Sequence, residues 1–158
     1  MLSDPLLRSE GQGSRSLGSV IVQAVSRAAN VPIAFYHADG IRNDLPAGQV
    51  SFRQLYQALP FEHEIYTGEL LGNDLMSLLA QCRPGAVPAM CVTGVIPSAE
   101  GTWSNSEGRP IVAESWYRVA YNDFVAQGGD HFTQFSRARR VRPEGITVRE
   151  ALKKSFSY

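Results

Sequence analysis

The chain has 158 residues, of which 44% are apolar and 19% are charged, as in an ordinary single globular domain. Fifteen basic and fifteen acidic residues give a formal net charge of zero, so the composition gives no indication of non-specific binding to nucleic acid or to a membrane surface. No apolar run is long enough to span a bilayer. The N-terminal stretch "MLSDPLLRSEGQGSRSLG" lacks the basic start and apolar core of a secretion signal, which leaves the compartment open.

The N-terminal part of the chain predicts a tail followed by a helix and a strand. Residues 1–16 are rich in Ser, Gly and charge, and they predict a flexible tail or linker ahead of a domain at 17–158. From Leu17 onward, apolar residues recur at helical spacing and predict a helix that ends near Asn30. The next segment, "VPIAFYHA", predicts a buried strand, and "DGIRNDLPAG" predicts a loop.

Three helix starts are marked by capping residues. Ser51 with Gln54, and Thr147 with Glu150, each have the three-residue spacing of a capping box at the start of a short helix. Asn73 is the predicted N-cap of a helix over "DLMSLLAQCR". Between the helix starts at Ser51 and Asn73, "FEHEIYTGELLG" predicts a strand.

The second half of the chain is dominated by strands. "AMCVTGVI" and "TWS" are short β-like pieces in a region rich in Gly, Pro and Ser, "WYRVAYNDF" predicts a longer strand, and "ARRVRP" predicts another strand or an extended edge. Helices and strands therefore alternate early, whereas strands cluster late. This order predicts an α+β fold with mixed sheets and helices packed on them, rather than a doubly wound fold.

The sequence contains no complete catalytic or metal-binding motif. The three histidines, His37, His63 and His131, have no paired ligand spacing, and no P-loop, dinucleotide-binding or nucleophile-elbow pattern occurs. Cys82 and Cys91 form neither a redox nor a metal motif. Two buried free thiols are the favoured interpretation, and a disulfide across a strand pair is the alternative.

Several polar and aromatic residues lie where predicted elements end. Arg42 follows a strand and a glycine, where a guanidinium group can pair with a phosphate or carboxylate, although a surface ion pair explains it equally well. Phe61 lies at a helix-to-strand corner, and Phe124 lies at a strand end shortly before a Gly-Gly turn and Asp130. Taken singly, each phenylalanine is explained by core packing, and the glycines by a turn.

Five segments taken together carry a resemblance to a known family. They are "SLGSVIVQAV", "DGIRNDLPAG", "SFRQLYQALPFEHEI", "TGELLGNDLMSLL" and "NDFVAQGGDHF". In this order and near this spacing, they resemble the C-terminal domain of the 5′-nucleotidase family, whose members typically read "GNLIADA", "NGGGIR", "LPFGN" and "NFLANGGDGF" at these places. The resemblance covers most of the chain, from about Leu17 to the final helix.

The resemblance implies a substrate-recognition domain. Family members carry their two metal ions and catalytic residues on a separate N-terminal metallophosphoesterase domain, so no catalytic residue, metal or cofactor is expected in this chain. Matched by motif, Phe61 and Phe124 would clamp a nucleobase, Asp130 would hold the ribose hydroxyls, and Arg42 would contact phosphate. The same motifs add the following residues to the expected substrate-binding set: His37, His63, Gly128 and Gly129.

The implied function is nucleoside or nucleotide recognition for a 5′-nucleotidase-type phosphohydrolase of nucleotide catabolism, with the chain alone inactive. The implied partners are this ligand and an N-terminal metallophosphoesterase domain in the same or another chain, with no nucleic acid and no membrane. Arg8 and Arg15 are candidates for a further phosphate-side arginine. Family members usually act outside the cytoplasm, so a periplasmic or extracellular location is implied by the resemblance alone.

Several positions depart from the family pattern. His37 stands where the family has an Asn, Asp39 and His131 replace glycines, and "EH" at Glu62 and His63 replaces Gly-Asn. Asp39 and Glu62 add negative charge near the expected phosphate site. The alternative function is therefore an interaction or dimerisation module that kept the fold and lost the ligand. A third interpretation is a related sulfur-ester hydrolase, against which the phenylalanine pair argues.

Overall fold

The computed structural model describes residues 1–8 and 16–156 as an α+β fold, which confirms the predicted class. Its helices are α1 (Leu17–Ala29), α2 (Phe52–Ala58), α3 (Gly72–Leu79), α4 (Asp123–Ala126) and α5 (Val148–Ser155). Its strands are β1 (Ile33–His37), β2 (Glu64–Leu71), β3 (Met90–Thr93), β4 (Val95–Pro97), β5 (Trp103–Asn105), β6 (Trp116–Asn122) and β7 (Arg139–Thr147). No described helix is both long and apolar enough to cross a membrane.

One mixed sheet of five strands organises the molecule. Its order is β3-β1-β6-β2-β7, in which β1 runs parallel to β6 and the other neighbours are antiparallel. Strands β4 and β5 form a separate antiparallel pair. The crossover from β1 to its parallel neighbour β6 brings the ends of both strands to the same edge of the sheet.

Helices cover both faces of the sheet, which explains why β1 is buried at every position. Ala34 and Tyr36 of β1 pack toward α1, α2 and α5, in the core cluster that also contains part of the N-terminal segment. Ile33 and Phe35 point to the opposite face and pack against α3 and the residues around β6. The alternation of the strand therefore feeds two separate apolar cores.

Both predicted capping boxes are confirmed. The Ser51 hydroxyl accepts from the Gln54 backbone N–H, and the Gln54 side chain accepts from the Ser51 N–H; Thr147 and Glu150 do the same at α5. Each box satisfies two N–H groups that have no partner within the helix.

The predicted Asn73 cap of α3 is wrong. The helix begins at Gly72, and its N-cap residue Leu71 makes no side-chain capping bond. Instead, the N–H groups of Gly72 and Asn73 donate to the carbonyl oxygens of Ser115 and Ala113, at 2.7 and 3.0 Å. Distant backbone acceptors thus replace the side-chain cap, which no local sequence pattern reveals.

The N-terminal segment differs from the tail predicted over residues 1–16. Leu2 exchanges both backbone hydrogen bonds with Gly48, and Leu6 does the same with Leu45. The Leu6 side chain is buried in the core cluster with α1. The physical reason is that these leucines pack on the apolar side of the loop before α2. Counting the polar residues of the segment does not reveal this packing. Residues 9–15 of the predicted tail lie outside the described residues.

Both cysteines are free thiols, as the favoured interpretation holds, but only Cys82 is fully buried and Cys91 is half-buried. Cys82 ends the 3₁₀ turn Ala80–Cys82 after α3, and Cys91 lies in β3. Burial raises the pKa of Cys91 to about 11 and raises the pKa of Cys82 as well. Burial thus keeps both groups protonated and unreactive near neutral pH.

Candidate functional site

A cleft lies at the sheet edge where β1 and β6 end and β2 begins. Because β1 and β6 are parallel and β2 is antiparallel to β6, the segments after β1, before β2 and after β6 all meet at this edge. We call it the aromatic cleft; its volume is about 180 Å³, and it is lined by His37, Asp39, Arg42, Phe61, His63, Phe124 and Asp130.

The aromatic cleft brings together residues predicted from three separate segments of the sequence. It contains six of the eight predicted site residues, namely His37, Arg42, Phe61, His63, Phe124 and Asp130. The two remaining residues, Gly128 and Gly129, follow Phe124 in the chain and do not line the cleft. Asp39, which the sequence indicates only as a departure from the family pattern, also lines it.

The turn after β6 holds Phe124 through local backbone geometry. Phe124 lies in the short helix α4 and not at a strand end as predicted, because the Asn122 side chain accepts from the Val125 N–H and starts a helical turn. The Phe124 ring then packs on Gly129, where an added Cβ would lie 2.5 Å from the nearest ring carbon. Gly129 therefore serves the site by leaving room for this ring.

Three residues of the same turn adopt positive φ angles: Gly128 at 85°, Asp130 at 55° and His131 at 64°. Glycine and, to a lesser degree, Asp tolerate this left-handed conformation. His131 is exposed and does not line the aromatic cleft, so its departure from glycine affects the turn and not the wall of the cleft.

Aromatic rings form the walls of the cleft. The His63 ring contacts both phenylalanines, with its centroid 5.6 Å from that of Phe61 and 5.7 Å from that of Phe124. Phe61 is 44% exposed, which is unusual for a ring that serves only core packing. The Arg42 guanidinium carbon lies 5.5 Å from the centroid of the Phe61 ring, within cation–π range.

His37 is the buried polar residue of the cleft, with only 3% of its surface exposed. Its Nδ1 accepts a hydrogen bond from Asn122 Nδ2 at 3.0 Å, and its ring stacks against Tyr36 and Phe124. Burial, followed by the neighbouring His63, lowers the pKa of His37 from 6.5 to about 4. His37 is therefore neutral across the physiological range.

A second histidine is oriented by a carboxylate. His63 Nδ1 lies 2.9 Å from Asp123 Oδ1, and both residues are partly buried. Sequence reasoning missed Asn122 and Asp123 as supporting residues. The available signal is their position, because "ND" lies at a strand end and directly precedes Phe124.

A second, more polar cleft of about 520 Å³ adjoins the first and shares Asp39, Arg42 and Asp130 with it. We call it the charged cleft. Arg8 also lines it, since its backbone N–H donates to Asp44 Oδ1 at 2.7 Å and its Nη1 donates to the Arg42 carbonyl at 3.0 Å. Of the two further arginines considered, Arg8 thus lies at the site, and Arg15 is outside the described residues.

Arg42 does not form the surface ion pair that was its alternative interpretation. Among residues 1–8 and 16–156, no carboxylate lies within ion-pair distance of its guanidinium group. Asp44 accepts from Arg8 instead, and Glu62 lies 3.8 Å from Arg149. The Arg42 charge is therefore available to a ligand.

The two clefts combine aromatic and charged groups. They offer stacking surfaces, two histidine rings, guanidinium groups and the carboxylates of Asp39 and Asp130, which together can contact a planar ligand that carries hydroxyl and anionic groups. Within the part of the chain that the structure describes, no three His, Cys, Asp or Glu side chains are grouped to hold a metal ion.

Comparison with known proteins identifies related chains. Residues 3–137 match the family model described as "5′-nucleotidase, C-terminal domain". Protein UshA of Escherichia coli strain K12 is 25% identical over 144 residues, which cover 87% of this chain and 26% of UshA. The NAD 5′-nucleotidase of Haemophilus influenzae is 26% identical over 155 residues, covering 79% of this chain and 25% of that protein.

The fold is also found among solved structures. The crystal structure of a 5′-nucleotidase precursor from Thermus thermophilus superposes with a TM-score of 0.78 over 97% of this chain, at 22% identity. This chain covers 35% of that structure and about a quarter of the two curated relatives.

Proposed function

The chain belongs to the family of 5′-nucleotidase C-terminal domains, and from this premise we propose that its two adjoining clefts recognise a nucleoside or nucleotide for a 5′-nucleotidase-type phosphohydrolase. The observation that carries the proposal is the meeting of Phe61, Phe124, Arg42 and Asp130 at one sheet edge. These residues come from three chain segments, and only the fold brings them together.

The aromatic cleft would hold the nucleobase. Phe61 and Phe124 both line this cleft, and a base that enters it can stack on their rings. Stacking of a base on an aromatic side chain contributes about 1–3 kcal/mol and tolerates different bases. The aromatic cleft therefore favours nucleosides as a class.

The charged cleft would hold the ribose and phosphate. Asp130 and Arg42 line both clefts, so they stand where a sugar and its 5′ substituent leave the base. A carboxylate accepts from the two ribose hydroxyls, and a guanidinium pairs with phosphate oxygens. Arg42, which has no carboxylate partner among the described residues, and Arg8 are the cations we assign to phosphate.

The two clefts would form only one side of a larger ligand-binding site. The aromatic cleft, at about 180 Å³, is smaller than the roughly 300 Å³ of a closed small-molecule site. We assign the opposite wall, the two metal ions and hydrolysis to an N-terminal metallophosphoesterase domain, in the same chain or in another. This assignment agrees with the fraction of each relative that the chain covers. On this proposal, the 158 residues alone bind but do not hydrolyse.

The test is ligand binding by the wild-type chain and a Phe61→Ala variant. Phe61 is 44% exposed, so its truncation should leave the fold intact. Loss of one stack of about 1–3 kcal/mol raises the dissociation constant roughly 5- to 150-fold. Ligand-observed NMR and calorimetry with adenosine, AMP and UDP-glucose measure this change.

A matched control is Phe52→Ala, which removes a similarly exposed ring that lies on α2 outside both clefts. It should bind as the wild type does. Equal binding by Phe61→Ala and the wild type refutes the stacking role. If the whole ligand panel fails to bind and the chain dimerises as its concentration rises, the alternative interaction module is favoured, and the Asp39 carboxylate, which lines both clefts, explains the loss.

A further inference from the structure

The hydrogen-bond network around Asn122 determines which nitrogen of His37 carries a proton. Asn122 Oδ1 accepts from the Val125 N–H at 3.0 Å, so the group that faces His37 is the Nδ2 amine. An amine only donates, and His37 Nδ1 must therefore accept. The proton of the neutral ring lies on Nε2, which has no hydrogen-bond partner among the described residues.

Asp123 imposes the opposite arrangement on His63. Its carboxylate accepts, so His63 Nδ1 carries the proton that bridges the 2.9 Å contact. In the neutral ring, Nε2 is then an acceptor. This nitrogen also has no partner among residues 1–8 and 16–156. The two histidines of the cleft are thus fixed as different tautomers by two adjacent residues of one strand-to-helix junction.

The His37 and His63 rings are neighbours in the lining of the aromatic cleft. Their centroids lie 5.2 Å apart and their planes are inclined by 77°. Only 3% of the surface of His37 is exposed, yet this residue lines the cleft. Its Nε2 lies beside Gly40, where an added Cβ would be 2.7 Å away, and it is not among the buried side-chain atoms without a partner in the described part of the chain, so water or a ligand can reach it.

We propose that His37 and His63 read the polar edge of the bound base, His37 Nε2 as donor and His63 Nε2 as acceptor. This inference rests on the proposed function, because it concerns the base held by Phe61 and Phe124. The cleft selects rings on which a hydrogen-bond acceptor and a donor are adjacent. Adenine meets this requirement with N1 and the 6-amino group, and the 6-oxo purines meet it with O6 and N1–H.

His37 stays in this neutral form across the physiological range. Burial is the largest cause of the lowered pKa of His37, and a proton on Nδ1 would also face the Asn122 amine. Repulsion from His63, when that ring is also protonated, and from Arg42 acts in the same direction, whereas Asp123 opposes them. Asp39 and Asp130 are the other charged groups that line the cleft.

The test compares adenosine with two analogues that each lack one edge group. Purine riboside lacks the 6-amino donor, and 1-deazaadenosine lacks the N1 acceptor, while both keep the stacking surface. A site that leaves its own buried polar group unpaired rejects such analogues. We expect each analogue to bind the wild-type chain about tenfold more weakly than adenosine, which corresponds to about 1.4 kcal/mol.

Variants separate the two contacts. His63→Phe keeps an aromatic ring at this position but removes the acceptor, so adenosine and purine riboside should then bind equally while 1-deazaadenosine stays weaker. Asn122→Asp replaces the donor to His37 with an acceptor and moves the His37 proton to Nδ1. This variant should lose the preference for adenosine over 1-deazaadenosine.

The outcomes distinguish this inference from the function on which it rests. If adenosine and both analogues bind the wild-type chain with equal affinity, edge reading is refuted and base stacking stands. If His63→Phe retains the full preference for adenosine over purine riboside, the role of His63 is refuted even if Asn122→Asp fails to fold. If no nucleoside binds, the proposed function fails, and this inference fails with it.

Discussion

Acidification should destabilise the fold through His37. In the unfolded chain its pKa is near 6.5, and in the folded protein it is lowered to about 4 by burial and by His63. Between these pH values the unfolded state binds more protons, so stability falls as pH falls. Each pKa unit corresponds to about 1.4 kcal/mol, and between pH 7 and pH 4 the His37 contribution lowers the free energy of unfolding by about 3 kcal/mol.

The assay is urea unfolding of the wild type and of a His37→Phe variant between pH 7 and pH 4. Phenylalanine fills the site of the ring but does not titrate, while all carboxylates titrate in both proteins. The variant should be less stable at pH 7, because the Asn122 amine loses its acceptor. The difference between wild type and variant should then shrink by about 3 kcal/mol as the pH falls to 4.

A direct readout comes from NMR titration of the His37 ring in the folded protein. The chemical shifts of its ring nitrogens should report the Nε2–H tautomer and a midpoint well below 6.5. A His37 midpoint at or above 6.5, or a constant stability difference between the two proteins across the pH range, would refute the reasoning from burial and from the Asn122 bond.

Three local predictions concern the turn after β6 and the start of α5. Gly129→Ala places a Cβ 2.5 Å from the Phe124 ring and should weaken nucleoside binding in the NMR assay, because the ring must move. In Gly128→Ala the new Cβ meets no atom within 4 Å, but the residue has a φ of 85°. The variant should therefore lower the free energy of unfolding by about 1–2 kcal/mol without changing nucleoside affinity. Weaker nucleoside binding by Gly128→Ala than by Gly129→Ala would contradict this explanation. Thr147→Ala breaks the capping box with Glu150 and should lower the free energy of unfolding by about 1 kcal/mol. An unchanged midpoint in urea unfolding would show that the box does not stabilise the fold.

The local rules of the sequence determined most of the helices and strands. The capping boxes at Ser51 and Thr147 were predicted and confirmed, because the interacting groups lie three residues apart. Prediction failed at the start of α3, where the acceptors come from the distant residues Ala113 and Ser115. It also failed to show that Leu6 packs into the core, since its neighbours there come from other segments.

The candidate site likewise has features that the sequence predicted and features that it did not. Its residue types were predicted from short motifs, and the structure places Phe61, Phe124 and Arg42 at one cleft, although their roles remain proposals. Phe124 was expected at the end of a strand and lies in α4, because Asn122 caps a helical turn that the neighbouring glycines obscured. Asn122 and Asp123 carry no motif of their own.

By itself, the sequence determined the α+β class, the two capping boxes and the residues that carry the family resemblance. Only the tertiary structure decided that β1, β2 and β6 bring these residues to one edge, that Arg8 joins them, and that Asn122 and Asp123 set different tautomers on His37 and His63. The physical reason is range: caps and turns depend on neighbours within a few residues, whereas His37 meets Asn122 across 85 positions of the chain.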